Sequence, residues 1–227
     1  LAVHSLKDLP TDDVPGLCLA AVPERAEPGD ALVCRKWPSL DELPEGAVIG
    51  SGSLRRQSQL LRARPDLKLR DIRGNVETRL KKLDDGDFDA LILAEAGLRR
   101  LGLEENITQI LPTSVMLPAV GQAALGLETR SDDRVTRNLV EQLIHPASFA
   151  AVTAERSMLA ELRGGCLAPI GASGRTDEDG RLVLTGRVLS PDGSSCLENT
   201  LTGEIDAAVQ LGQDVAHLLI DRGASRL

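Results

Sequence analysis

The stretch AVIGSGSLRRQSQLLRA, residues 47–63, decides the fold class of this chain. Three apolar residues predict a strand, glycines follow it, and the next residues have the periodicity of an amphipathic helix. Strands that alternate with helices at this spacing indicate βαβ units, so we predict an α/β fold with a parallel sheet. In this central region the pattern predicts strands over 47–49, 67–72 and 90–93 and helices over 54–64, 76–83 and 96–101.

Changes in composition divide the chain into further units. Residues 23–29, rich in proline, glutamate and glycine, separate the opening residues from the α/β unit, and residues 112–121 have the pattern of a return crossing. A strand predicted over 125–128 is placed to rejoin the opening residues. Two crossings indicate two hinged lobes with a cleft between them. We assign the first lobe to residues 1–23 and 124–143 and the second lobe to residues 28–118.

The last part of the sequence has a different pattern. Helices are predicted first, then antiparallel strands joined by Gly-containing turns, then a closing helix. We therefore expect a small α+β domain over residues 146–227. The helices are predicted over 132–143, 147–162 and 205–220, and the strands over 169–174, 182–189 and 196–203.

Composition limits the classes of function. With 42% hydrophobic and 26% charged residues, the 227-residue chain resembles an average soluble globular protein, and no apolar run approaches the roughly 20 residues that cross a bilayer. Without a signal-like start, we expect a cytoplasmic protein that does not bind membranes. The cysteines have neither disulfide nor zinc spacing, so we expect no metal.

Charge is distributed unevenly. The net charge of −8 makes nucleic acid an unfavourable partner, because its phosphates repel an acidic protein. Arginine and lysine nevertheless accumulate between residues 53 and 100, while acidic residues dominate elsewhere. A locally basic site in an acidic protein predicts a small polyanionic ligand.

The first candidate site is GSGSLRR, residues 50–56. Glycines admit a ligand to the backbone, the helix start attracts anions, and Ser53 is placed to cap the helix. Arg55 and Arg56 have the unfavourable sign for the first turn, a cost that an anionic partner relieves. From the pattern alone, an ordinary capped helix with a solvated basic face is an equally good interpretation.

The second candidate site is Arg73-Gly74-Asn75 with Arg79. Arg73 ends a predicted strand at the sheet edge where α/β folds bind ligands, and Asn75 is placed to cap the next helix. Guanidinium groups bind carboxylates with two hydrogen bonds, which suits an acidic substrate. A network of surface salt bridges with nearby acids is an equally good interpretation.

Two further stretches carry reactive groups. HSLKDLP, residues 4–10, places Lys7 beside Asp8, whose carboxylate is suited to stabilise a cation, although a capping aspartate in a turn is the better interpretation from the pattern. RGGCLAP, residues 163–169, exposes Cys166 on a glycine loop, where Arg163 favours the thiolate. A buried structural cysteine is the commoner outcome for such a thiol.

Taken in order along the chain, seven stretches resemble the successive motifs of the porphobilinogen deaminase family. The resemblance implies two lobes like those of periplasmic binding proteins, with the first lobe lacking its N-terminal part, and a small C-terminal domain. The chain alone is therefore expected to have an incomplete first lobe and little or no activity. The stretches are HSLKDLP, GSGSLRRQSQL, RGNVETRL, AGLRRLGL, LPAVGQAALGLE, TAERSMLAEL and GGCLAPIG.

The resemblance also implies an activity and a cofactor. Members of the family join four porphobilinogen molecules, with loss of ammonia, into the linear tetrapyrrole hydroxymethylbilane in porphyrin and haem biosynthesis. The partners implied are porphobilinogen and the growing polypyrrole chain, and a monomer is expected. The family usually has a glycine where this chain has Ala123, which places the local backbone in question.

Roles for individual residues follow from the same resemblance. Cys166 matches the cysteine that carries the dipyrromethane cofactor through a thioether bond. Asp8 matches the catalytic carboxylate, with Lys7 beside it. The positions that match carboxylate-binding residues are Ser53, Arg55, Arg56, Arg73 and Arg79 for the cofactor and Arg100 for the substrate.

Two other classes of function compete with this interpretation. A two-lobed receptor or effector module that binds small anions without catalysis has the same predicted lobes, but it needs no thiol on a Gly-Gly-Cys loop. A nucleic-acid-binding protein that uses the arginine cluster is disfavoured by the net acidity and by an aromatic content of 1%.

Overall fold

The computed structural model describes residues 1–162 and 169–227. They form two α/β units and a C-terminal α+β domain, as predicted. Among these residues no helix is long and apolar enough to cross a membrane. The strands are β1 (Ala2–Ser5), β2 (Leu17–Ala21), β3 (Asp30–Cys34), β4 (Val48–Gly50), β5 (Lys68–Arg70), β6 (Ala90–Ala94), β7 (Gln109–Ile110), β8 (Leu125–Arg130), β9 (Ile170–Thr176), β10 (Leu182–Leu189) and β11 (Cys196–Gly203). The helices are α1 (Leu54–Ala63), α2 (Val76–Asp84), α3 (Glu95–Arg100), α4 (Arg134–Val140), α5 (Pro146–Glu161) and α6 (Ala208–Asp221).

The second lobe is a five-stranded sheet in the order β5-β4-β6-β3-β7. The prediction of a parallel sheet is correct for β4, β5 and β6 but wrong for the sheet as a whole, because β3 is antiparallel to both β6 and β7. β3 enters the lobe directly from the crossing segment and is followed by turns, not by the helical crossover that parallel neighbours need. All five of its residues are buried. Leu32 and Val33 therefore alternate between the cores on the two faces of the sheet.

The first lobe is a three-stranded antiparallel sheet in the order β1-β8-β2. β8 lies between the two opening strands, so the chain does rejoin them after the return crossing, as predicted. A short 3-10 turn, Leu6–Asp8, follows β1 and buries Leu6 against Val22, Ala124 and Val152. This packing fixes the position of the Lys7 and Asp8 backbone next to the crossings.

In the C-terminal domain the helices α5 and α6 cover one antiparallel sheet, β11-β10-β9. Its core joins Met158 of α5, Leu184 of β10 and Val215 of α6, all completely buried. β10 and β11 have the predicted bounds, whereas α4 is shorter than predicted because a 3-10 turn continues from its end. The domain is thus a two-layer unit with its own core.

One buried carboxylate joins the two crossings to the C-terminal domain. Glu155 of α5 accepts hydrogen bonds from Arg25 Nη1 at 2.7 Å in the first crossing and from the Gly121 amide at 2.8 Å in the return crossing. It also accepts from the Gly174 amide of β9 at 2.8 Å. Because Glu155 is fully buried, these donors satisfy a charge that would otherwise be costly to bury. The crossings and α5 are therefore held in one arrangement.

The backbone at Ala123 is left-handed. Its φ is +68°, the only positive φ of a non-glycine among the residues with described geometry. A Cβ in this conformation approaches the following carbonyl and costs about 1 kcal/mol. This explains why an alanine here, where the related motif has glycine, is unfavourable without preventing the fold.

We expect Ala123→Gly to raise the free energy of unfolding by up to about 1 kcal/mol, since it removes this strain. Urea unfolding followed by circular dichroism measures the change. Ala124→Gly is the matched control, because Ala124 is buried without a positive φ and its replacement should destabilise the protein by about 1 kcal/mol. Equal destabilisation by both glycines would contradict the assignment of strain to Ala123.

Candidate functional site

A cavity of about 370 Å³ opens where the two lobes meet. Lys7 reaches it from the first lobe, and the other lining residues come from the loops that follow β4 and β5 and from the helices α1 and α2 that these loops lead into. Because β4 and β5 are parallel, both loops leave the sheet at the same edge. The structure thus brings five of the predicted site residues together. The lining residues are Lys7, Gly52, Ser53, Arg56, Asp71, Ile72, Arg73, Gly74 and Arg79.

The loop after β5 differs from prediction at Arg73. β5 ends at Arg70, so Arg73 does not end a strand but lies exposed in the loop beyond it, next to Gly74 with φ +118°. Asn75 caps α2 as predicted, since its side chain accepts from the Thr78 amide at 2.9 Å. Arg79 on the first turns of α2 donates to the Gly74 carbonyl at 2.9 Å. This bond ties Arg79 to the loop that carries Arg73.

The start of α1 also differs from prediction. Ser53 occupies the N-cap position, but its side chain makes no capping hydrogen bond; its amide instead bonds to Ser51 Oγ at 3.3 Å. Within the part of the chain that the structure describes, the Ser53 hydroxyl is left without a protein partner and faces the cavity.

Arg55 and Arg56 lie on the interior side of α1. They are only 5% and 7% exposed, so the interpretation of a solvated basic face is wrong. Both bind Asp30 at the start of β3: Arg55 Nη1 lies 2.8 Å from Oδ2, and Arg56 Nη2 lies 2.6 Å from Oδ1. Their repulsion from the helix dipole is therefore offset by a fixed carboxylate inside the protein.

The structure separates the roles of these two arginines. Arg56 lines the cavity, with its Nη1 also 3.2 Å from the Ile92 carbonyl. Arg55 does not line it; its Nη atoms bind Asp30, the Leu117 carbonyl and the Gln122 side chain. Its Nε has no partner among the residues described.

The pKa shifts report the surplus of positive charge. Burial on its own would raise the pKa of Asp30, but Arg55 and Arg56 outweigh burial and lower it to about 2. Lys7 is exposed to solvent as a residue, yet desolvation in the cleft and then repulsion from Arg56 lower its pKa. The pKa of Arg79 is lowered for the same two reasons. The cavity is thus suited to an anion.

Besides Arg55, two predicted site residues in the described part of the chain, Asp8 and Arg100, are not among those that line the cavity. Asp8 ends the 3-10 turn directly after Lys7 and is exposed. Arg100, at the end of α3, donates to the Ala123 carbonyl at 2.8 Å. Cys166 lies outside the described residues, as does the rest of the segment 163–168.

Sequence reasoning missed Asp30 and gave no role to Gln122. Gln122 Nε2 donates to Asp30 Oδ1 at 3.0 Å, so both belong to the group beneath α1. A signal was present: Asp30 begins DALVC, a charged residue at the head of an otherwise apolar strand. Such a residue is rarely buried unless it is paired.

Two family models match the sequence. The model described as "Porphobilinogen deaminase, dipyromethane cofactor binding domain" matches residues 1–138, more than half of the chain. The chain belongs to the porphobilinogen deaminase family. A second model, "Porphobilinogen deaminase, C-terminal domain", matches residues 149–221. The resemblance stated from the motifs, and the cofactor that it implied, are thereby confirmed.

Relatives with this name match nearly the whole chain. Porphobilinogen deaminase from Brevibacillus brevis is 48% identical over 98% of this chain and 72% of its own length. The relative from Desulforudis audaxviator is 49% identical over 100% of this chain and 73% of its own length. The relative from Chromobacterium violaceum is 51% identical over the same shares, 100% and 73%.

Likeness to solved structures is weaker. A periplasmic substrate-binding protein of an ABC transporter from Coxiella burnetii overlaps 63% of this chain and 67% of its own, with a TM-score of 0.38 and 15% identity. Its class is the one to which the lobes were likened from the sequence. At this level of overlap the comparison adds nothing to the fold described above.

We expect Asp30→Asn to lower the free energy of unfolding by about 3 kcal/mol at pH 7, because it leaves two buried guanidinium groups without their carboxylate. Urea unfolding measures the loss. Asp84→Asn is the control: Asp84 pairs with Arg35 at the surface, and its replacement should cost less than about 1 kcal/mol. Equal costs would show that Asp30 does not hold the arginines in place.

The stabilisation that Asp30 provides also depends on pH. Because the pKa of Asp30 is lowered on folding from 3.8 to about 2, its contribution is fully present above pH 4 and is lost as the pH falls through this interval. The loss amounts to about 2 kcal/mol. The difference in stability between wild type and Asp30→Asn should therefore shrink between pH 5 and pH 2.

Proposed function

We propose that this protein is a transferase that joins four porphobilinogen molecules, with loss of one ammonia from each, into hydroxymethylbilane for porphyrin and haem synthesis. The observation that carries the proposal is the cavity formed by the family's own motifs, whose lining holds four cations, Lys7, Arg56, Arg73 and Arg79, and one carboxylate, Asp71. Each porphobilinogen brings an acetate and a propionate group. A growing chain of such units needs a group of fixed cations.

The cavity residues fit the cofactor of the family. Dipyrromethane consists of two porphobilinogen units, and its carboxylates match the surplus cations in the cavity. We propose that Ser53, Arg56, Arg73 and Arg79 hold these carboxylates, and that Cys166 anchors the cofactor through a thioether. Arg55 is also proposed as a cofactor-binding residue. Its Nη atoms bind Asp30, but its buried Nε has no partner among the described residues. When bound, the cofactor supplies the pyrrole carbon to which the first substrate is joined.

The carboxylate of Asp8 is proposed to stabilise the reacting substrate. Ammonia leaves with the electron pair of its C–N bond, and the pyrrole that remains carries a delocalised positive charge. Asp8 is exposed next to Lys7, the residue that reaches the cavity from the first lobe. A carboxylate at this position offsets the developing charge. Lys7 and Arg100 are proposed to bind substrate carboxylates near it.

We further propose a cytoplasmic monomer that binds neither nucleic acid nor membranes. The net charge of −8 supports the first exclusion, because cations accumulate between residues 53 and 100 while acids dominate elsewhere. A two-lobed anion receptor without catalysis is not favoured, since it leaves the match to both deaminase family models without an explanation.

The proposed function is tested by intact mass and by porphobilinogen consumption. With its first lobe completed, the purified protein should carry extra mass equal to dipyrromethane, stain with acid Ehrlich reagent and release ammonia from porphobilinogen. Cys166→Ser should have the bare polypeptide mass. Cys196→Ser is the control, because Cys196 lies in β11, and it should retain the extra mass. Bare mass in every variant, together with intact porphobilinogen, would refute the proposal.

Asp8→Asn should retain the cofactor mass but lower kcat by about a hundredfold or more, because an amide cannot offset the pyrrole cation. Steady-state kinetics and intact mass are measured on the same preparation. Asp12→Asn, at an exposed acid of the following loop, is the control and should keep wild-type kcat. Wild-type turnover in Asp8→Asn would remove Asp8 from the mechanism.

A further inference from the structure

The helix α1, which carries Arg55 and Arg56, also contacts the C-terminal domain through Gln59 on the same face as Arg55. Arg187, on β10, is 7% exposed and extends out of its own sheet to α1. Its Nη1 donates to Gln59 Oε1 at 2.8 Å, and its Nη2 donates to the Ser114 carbonyl at 3.1 Å in the return crossing. A buried cation of the C-terminal domain thus binds α1 directly.

Gln59 passes this contact to the arginine site. Its Oε1 also accepts from the Leu117 amide at 2.9 Å, and its Nε2 donates to the Leu117 carbonyl at 3.0 Å. The same carbonyl accepts from Arg55 Nη1. Gln59 and Arg55 therefore share the Leu117 carbonyl, and Arg187 is linked to both through Gln59.

A second contact joins α1 to the turn between β10 and β11. Ser58 Oγ donates to the Pro191 carbonyl at 2.9 Å. A Cβ built on Gly193 would lie 2.8 Å from the Arg62 amide nitrogen, so only glycine lets the hairpin come this close to α1. The hairpin and α1 are therefore packed in a fixed register.

β10 also holds the chain that follows Cys166. The Leu189 amide donates to the Pro169 carbonyl at 3.1 Å, and Arg187 is paired with Gly171 across the β9–β10 ladder. Pro169 lies three residues after Cys166 in the sequence. One strand thus contacts both the arginine helix and the end of the cysteine segment.

We propose that Arg187, acting through Gln59, is a positioning residue that holds α1, and with it the carboxylate-binding Arg56, in register against β10 and the return crossing. This inference rests on the proposed function. The carboxylates of a bound cofactor meet Arg56 in the cavity only if α1 keeps this register. Misplacement by about 1 Å weakens such contacts strongly. Arg187 itself is not among the residues that line the cavity.

The test separates positioning from general stability. The rise in Tm between cofactor-free protein, made as Cys166→Ser, and cofactor-loaded protein measures how well the cofactor contacts the fold. We expect Arg187→Met, which keeps the aliphatic length but loses all donors, to reduce this rise by at least half. Arg187→Lys should restore part of it. Arg181→Met is the control, since Arg181 pairs with Glu204 at the surface, and it should leave the rise unchanged.

The change in Tm on cofactor loading distinguishes a positioning role of Arg187 from a purely structural one. A purely structural Arg187 would lower the Tm of both forms equally and leave the rise intact, which overturns the inference. A wild-type protein without cofactor mass overturns the proposed function instead. If Arg187→Met does not fold, Gln59→Leu breaks the same contact from α1 and should give the same reduced rise. KM measured on the loaded forms should increase about tenfold in Arg187→Met and stay unchanged in Arg181→Met.

Discussion

The carboxylate of Asp30 is the constraint on which the site depends. Two consecutive arginines at the start of α1 repel each other and the positive end of the helix, so α1 is stable beside β3 only with an anion between them. Asp30 supplies it at the first residue of β3, and Gln122 of the return crossing bonds to the same oxygen as Arg56. Because the carboxylate holds Nη2 and Nε of Arg56, the side chain has one orientation, towards the cavity. The position of β3 in the sheet therefore determines the position of a cation in the site.

A second set of contacts joins this site to the rest of the molecule. The return crossing has almost no regular structure, yet its backbone forms hydrogen bonds with four side chains: Arg55 and Gln59 at Leu117, Arg187 at Ser114, and Glu155 at Gly121. Buried peptide groups outside sheets and helices need such partners. The crossing is therefore ordered by side chains from α1, β10 and α5, and it transmits the position of each element to the others. An α/β lobe and an α+β domain with separate cores become one structure through this strand-free segment.

Much of this architecture is contained in local sequence patterns. The helices α1 and α2 follow from periodicity and from the Asn75 cap, and the hairpin β10–β11 follows from its alternation and turn. β3 was not predicted, because its antiparallel partner β6 begins some sixty residues later and no local signal gives strand direction. The burial of Arg55 and Arg56 was missed for the same reason, since Asp30 lies 25 residues away in sequence. The five predicted residues that line the cavity could be named from motifs. That Arg55 and Arg100 are not among the lining residues depends on long-range packing.

The arrangement of charge explains how an acidic protein can bind a chain that becomes more acidic as it grows. Asp30 is buried and neutralises part of the positive charge of the two arginines at the start of α1. Lys7, Arg73 and Arg79 are in contact with solvent and have no such carboxylate beside them in the ion pairs of the described residues. Desolvation, followed by repulsion from Arg56, lowers the pKa of both Lys7 and Arg79, so their positive charges carry an electrostatic cost. Each carboxylate that enters relieves part of that repulsion, and the first ones bound gain most. A site of this kind favours ligands with several carboxylates over those with one, because a single carboxylate leaves most of the repulsion in place.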